Sequence, residues 1–194
     1  MPRPDIVALD EYPLVEADEN TPDVVNLAAN EYWGSPPESV INACIRCIDS
    51  VNYYPESSAR DLRKAIGDLH RINPDRIVCA NGSSELISLL CQIYCEPGTE
   101  VIVGEYSYLY FRTAARICGA VPITYQCPEF IIDPDAIVEQ VTESTRMVFL
   151  DNPQNPIGGI NTESEIRYLM EKLPDHILLV LDSAYAEYVR TPEY

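Results

Sequence analysis

Apolar residues recur along this chain in two rhythms. Val40, Ile41, Cys44, Ile45, Ile48 and Val51 repeat at helical spacing, and so do Leu62, Ala65, Ile66 and Leu69. For the first of these helices, Ser35-Pro36-Pro37-Glu38 reads as the start: Ser35 as cap, Pro36 at the first helical position, Glu38 closing a capping box. For the second, Ser58 with Asp61 three residues on reads as the start. From residue 76 short apolar runs alternate with helical segments. Strands are predicted over 76–80, 101–103, 121–125, 147–150 and 177–181. Helices are predicted over 83–94, 107–118 and 133–141, and from the capping pattern Thr162-x-x-Glu165 to about Leu173. Glu96-Pro97-Gly98-Thr99 is a turn. Helices between short apolar strands imply an α/β fold, three layers α/β/α, with a mostly parallel sheet covered on both faces.

Charge narrows the functional classes. The 194 residues hold 31 acids against 13 Lys and Arg, a net charge of −18. Such a balance argues against a phosphate-neutralising face, so no nucleic-acid partner is expected, and no docking on an anionic membrane. Nine of the acids lie in residues 1–39, against the single base Arg3, so residues 1–34 read as an acidic, solvated arm. The longest aliphatic run, Ile177 to Leu181, is too short to span a bilayer. The N-terminus shows no apolar signal segment, and seven cysteines among apolar neighbours read as reduced thiols of a cytoplasmic protein. Cys44-x-x-Cys47 lies in a helical pattern without a second pair, and no metal site is expected.

In an open α/β sheet ligands gather where strands end and helices begin. Four segments occupy such places. Asn81-Gly82-Ser83-Ser84-Glu85 joins a glycine turn directly to a helix, and is either a phosphate cradle or an ordinary cap. Tyr106-Ser107-Tyr108-Leu109-Tyr110-Phe111 supplies rings that either stack on a flat ligand or pack in a core or a dimer contact. Asp151-Asn152-Pro153-Gln154-Asn155-Pro156-Ile157-Gly158-Gly159 is a rigid double Asn-Pro turn, which fixes the direction of Asn155. Asp182-Ser183-Ala184-Tyr185 follows a wholly apolar strand. An acid there either faces a cation, such as a protonated ring nitrogen, or caps the next turn.

Together the four segments resemble the large domain of fold-type I pyridoxal-phosphate aminotransferases, most closely the histidinol-phosphate aminotransferase family. Asn26-Leu27-Ala28-Ala29-Asn30-Glu31, Tyr53-Tyr54-Pro55 and Glu96-Pro97-Gly98-Thr99-Glu100-Val101 add to the resemblance, which runs from about Leu9 to Tyr188. It implies that Gly82, Ser83 and Ser84 bind the phosphate of pyridoxal 5'-phosphate. Tyr108 would stack on the ring. Asn155 and Tyr185 would bond the phenolic oxygen, and Asp182 would keep the ring nitrogen protonated. Tyr54 would reach the phosphate of a second copy, which implies a homodimer, and Tyr12 and Asn30 would line the substrate side. Asp182 and Tyr185 are the residues nearest the chemistry. Ile157 stands where the family usually has Thr, Ser183 where it has Glu, and Tyr106 and Leu109 where it has prolines.

The lysine is the sharpest departure. In the family a lysine a few dozen residues beyond the Asp/Tyr motif holds the cofactor covalently and shuttles the proton. Only nine residues follow Tyr185, none of them lysine, and the two lysines present, Lys64 and Lys172, match no such position. The expectation is a cofactor-binding large domain over 35–194, cut before that lysine and before the C-terminal small domain, and inactive alone. The parent activity implied is amino transfer between an amino-phosphate or amino acid and 2-oxoglutarate. A threonine-phosphate-type decarboxylase shares this large domain and is the first alternative. A non-catalytic α/β interaction module derived from an aminotransferase is the second.

Overall fold

The computed structural model describes residues 3–9, 27, 29–192 and 194. Most of the acidic arm, with Tyr12, lies outside them. The chain forms two compact units, residues 10–79 and residues 1–9 with 80–194.

The first unit is helical. Helix α2, Glu38–Cys47, runs into a 3-10 turn at Ile48–Ser50, and α3 spans Arg60–His70 (α1, Pro4–Val7, belongs to the other unit). Neither helix starts as the sequence suggests. Pro37 caps α2 at φ −54°, ψ 144°, and no side chain caps it. The reason is the second proline: a residue before proline is driven out of the helical region, so Pro36 cannot begin a helix. At α3 the capping position is Ala59, in the left-handed region at φ 49°. Glu56 does the work expected of Ser58. Its carboxylate accepts the Arg60 N–H at 2.8 Å, the Ser58 N–H at 3.0 Å and the Ser58 hydroxyl at 2.5 Å. Led by the Ser58 hydroxyl, those donors pull its pKa down to about 2.

The larger unit carries the sheet. In chain order it holds α4 (Ser83–Tyr94), β1 (Glu100–Gly104), α5 (Leu109–Ile117), β2 (Val121–Tyr125), α6 (Pro134–Val138), β3 (Thr145–Asp151), α7 (Glu163–Lys172) and β4 (Leu178–Asp182). The strands are all parallel, in the order β2-β1-β3-β4. Residue alternation sorts the two cores. Val101, Val103, Met147 and Phe149 face Ile87, Cys91, Phe111 and Ala115 of α4 and α5. Ile102, Val148 and Leu150 face Ile137 of α6 and Leu169 of α7. Phe111 and Phe149 stack at 4.5 Å with planes 4° apart. This is the three-layer α/β/α arrangement with a parallel sheet.

The predicted strand at 76–80 does not form. Pro74–Arg76 is a 3-10 turn, and Ile77 is extended at φ −111°, ψ 130°, but the ladder does not include it. An apolar run becomes a strand only when a neighbour takes its N–H and C=O groups. The predicted helix at 107–118 starts at Leu109 instead. Ser107 Oγ accepts the Gly104 N–H at 2.9 Å, which ties residues 104–107 into a turn before the helix. The predicted helix at 133–141 closes earlier, at Val138, with Asp133 accepting the Asp135 N–H as its cap. No helix among the described residues is long and apolar enough to cross a membrane.

Candidate active site

Three loops leave the C-terminal ends of neighbouring strands, and α4 starts beside them. Gly82 caps α4 at φ 78°, with no side chain bonded to the first-turn N–H groups. The local acid, Glu85, turns back and accepts the Asn81 N–H at 2.6 Å and the Asn81 amide at 3.0 Å. Ser83 is exposed and Ser84 half-buried. Ser84 Oγ lies 3.2 Å from the Tyr108 hydroxyl, and one turn on Ser88 Oγ lies 2.8 Å from the Tyr110 hydroxyl. The start of α4 and the aromatic loop after β1 are therefore in direct contact. The Tyr108 ring is held edge-on by Phe111 at 5.6 Å.

The Asn-Pro loop after β3 is closed on itself. The Gln154 N–H donates to the Gly159 carbonyl at 2.8 Å. Asn152 and Asn161 exchange reciprocal bonds: the Asn161 N–H donates to Asn152 Oδ1 at 2.8 Å, and Asn152 Nδ2 donates to the Asn161 carbonyl at 2.9 Å. Both Asn-Pro bonds, at Pro153 and Pro156, are cis. The Tyr194 hydroxyl donates to the Asn152 carbonyl at 2.6 Å.

Asp182 ends β4 in register with Asp151, the last residue of β3. It is half-buried, and its Oδ1 accepts the Ala184 N–H at 3.0 Å. This is the turn-capping role anticipated as one of two readings. Tyr185 is half-buried, its ring 6.5 Å from that of Tyr188. Ser83, Ser84, Tyr108, Asn155, Asp182 and Tyr185 thus share one end of one sheet. Asn30 and Tyr54 belong to the other unit, where Tyr54 is fully exposed and Asn30 is left-handed at φ 53°. Tyr12 is outside the described residues.

Asp151 is the residue that sequence reasoning passed over. It is 3% exposed, and its Oδ2 accepts two backbone N–H groups, from Tyr108 at 3.2 Å and from Asn155 at 3.0 Å. Burial pushes its carboxyl above the usual carboxylate range, against the pull of the Asn155 N–H. The signal was available, because Asp151 ends an apolar strand just as Asp182 does. Behind it lie buried Ser107, Gln154 and Tyr125. Gln154 Nε2 donates to Ser107 Oγ at 3.2 Å, and burial raises the Tyr125 phenol. Arg112 Nη2 ties down the end of β1 through the carbonyls of Gly104 at 2.5 Å and Glu105 at 3.0 Å.

Of the two lysines, only Lys172 belongs to the unit that carries this constellation. Lys172 closes α7 with its ammonium 5.3 Å from the Tyr168 ring centre, at the end of the sheet where β4 begins. Lys64 pairs with Asp68 at 2.8 Å in α3 of the other unit.

Residues 22–194 match the family described as aminotransferase class I and II. The histidinol-phosphate aminotransferase of Ruegeria pomeroyi is 40% identical over 166 residues, 86% of this chain and 46% of that protein. That of Paracoccus denitrificans is 40% identical over 166 residues, covering 86% and 45%. The chain therefore spans about half the length of the curated relatives it matches. The crystal structure of histidinol-phosphate aminotransferase from Sinorhizobium meliloti in complex with pyridoxal-5'-phosphate superposes with a TM-score of 0.79 at 26% identity, over 82% of this chain and 44% of that one.

Proposed function

Because the chain belongs to the class I and II aminotransferases, we propose that it is the cofactor-binding portion of a pyridoxal-phosphate-dependent transaminase acting on histidinol phosphate or a close amino-phosphate. The name shared by its 40%-identical relatives supports transamination, and with it a step of histidine biosynthesis, over the decarboxylase and the non-catalytic module. The observation that carries the reading is the meeting of the four family segments at one end of one sheet, with Ser84 and Tyr108 in contact at 3.2 Å.

The residues fit the group. At Gly82 a Cβ would meet nothing within 4 Å, so backbone can approach a ligand closely, and the uncapped first turn of α4 offers its N–H groups to an anion. Ser83 and Ser84 would add hydroxyl donors to the same phosphate. When bound, pyridoxal phosphate supplies an electron sink for the carbanion at the substrate's α-carbon. Asp182 would hold the proton on the ring nitrogen, by the attraction that a carboxylate exerts on a nearby cation. Tyr108 would cover one face of the ring. Asn155 and Tyr185 would bond the phenolic oxygen and fix the ring's rotation. By the same resemblance the working enzyme is a cytoplasmic homodimer in which Tyr54 reaches the phosphate site of the second copy.

Titration of the purified 194-residue chain with pyridoxal phosphate, followed by absorbance, tests the proposal. Saturable 1:1 binding is expected, weakened at least about ten-fold by Asp182→Ala or by Ser84→Ala, the scale of one charge-assisted hydrogen bond. Because neither Lys64 nor Lys172 stands at the family's lysine position, borohydride should trap no stoichiometric adduct and the chain should not turn over. Absence of saturable binding, or wild-type affinity in both variants, would overturn the assignment.

A further inference from the structure

We infer that Asp151 is a positioning residue that sets the ring-stacking and ring-bonding loops of the cofactor site in register with each other. The inference rests on the cofactor reading above, but its structural half stands separately. One oxygen, Oδ2, holds the backbone N–H of Tyr108, which closes the loop after β1 and caps α5, and that of Asn155, in the loop after β3. These two residues are separated by 47 positions (155 minus 108), and each belongs to a different strand-end loop. A second bond, from Gln154 Nε2 to Ser107 Oγ at 3.2 Å, joins the flanks of the same two loops. A movement of either loop therefore breaks a charge-assisted bond to a buried carboxylate.

The placement is expensive for the fold, which argues that it is kept for position. Asp151 is 3% exposed, no cation pairs with it in any described salt bridge, and its Oδ1 has no hydrogen-bond partner among the described residues. Burial correspondingly disfavours its charged form. A neutral residue would avoid that cost but would leave both N–H groups without their acceptor. Asparagine is the informative exception. Its amide oxygen has two lone pairs and can accept both N–H groups without a charge.

The test uses the full chain in three forms: wild type, Asp151→Ala and Asp151→Asn. Two quantities are read on each, the affinity for pyridoxal phosphate and the amide hydrogen exchange of Tyr108 and Asn155 by NMR. In Asp151→Ala, affinity should fall at least ten-fold, and both amides should lose protection together while those of β3 keep theirs. Asp151→Asn should restore both readouts to within about three-fold of wild type. A residue that merely filled space would not be rescued through an acceptor atom. Unchanged affinity in the alanine variant, or loss of protection at only one of the two amides, overturns the inference. Should the alanine variant not fold, wild type decides: unprotected exchange at either amide overturns it, and equal slow exchange at both sustains it. A wild-type chain that binds no pyridoxal phosphate defeats the cofactor reading instead, and the exchange data then decide alone whether Asp151 joins the loops.

Discussion

At the scale of single residues, the candidate site is set by atoms that sequence patterns do not expose. Gly104, at the end of β1, is an example. A Cβ there would sit 2.6 Å from Gln154 Nε2 and 2.7 Å from the Tyr125 hydroxyl. Those groups are buried and packed, so they have little room to yield. Gly104→Ala should therefore cost about 1–3 kcal/mol, the usual range for overpacking, read as a lower urea midpoint at unchanged slope. A midpoint equal to wild type would show that the cluster relaxes freely. The residues bearing the family resemblance were legible, because Ser84, Tyr108, Asn155 and Asp182 sit beside glycine, proline and strand-end signals. Asp151 was not singled out. It was written in the same motif as Asn155, but its importance lies in two backbone N–H groups from different loops, and pairing across loops leaves no local trace.

Elements were legible where local chemistry alone decides them. Thr162 and Glu165 form a complete capping box: Thr162 Oγ1 accepts the Glu165 N–H at 3.3 Å, and Glu165 accepts the Thr162 N–H at 2.7 Å. Thr162→Ala should destabilise the larger unit by about 1 kcal/mol, detectable as a lower thermal midpoint, with the circular-dichroism loss confined to helix signal. Pro122, which has no N–H to donate, lies in β2, at the edge of the sheet among the described residues. The starts of α2 and α3 were misread for reasons that are also local. One proline overruled its neighbour, and a glutamate outside the helix took the N–H expected to go to a serine. The segment 76–80 failed for a different reason. Its apolar pattern is that of a buried strand, but a ladder is a property of two segments, and only one of them is visible in a window of five residues.

At the scale of the whole molecule, the sheet is finished unevenly. Every residue from Met147 to Asp151 in β3 is buried, whereas β4 is half-buried and its Leu181 is 41% exposed. Among the described residues β4 is hydrogen-bonded along one side only, to β3. The run Leu178-Leu179-Val180-Leu181 is aliphatic throughout, and nothing on it is charged before Asp182. An apolar strand whose outer N–H and C=O groups are unpaired is a template on which a further strand can add. Copies of the chain should accordingly accrete with rising concentration, visible as growing light scattering. Leu181→Lys should suppress that scattering while shifting the unfolding midpoint by no more than about 0.5 kcal/mol, as expected of a surface substitution. Scattering that persists in the lysine variant would move the sticky surface elsewhere. On that expectation, the strand that ends in Asp182 is also the one that sets the concentration at which copies begin to add to one another.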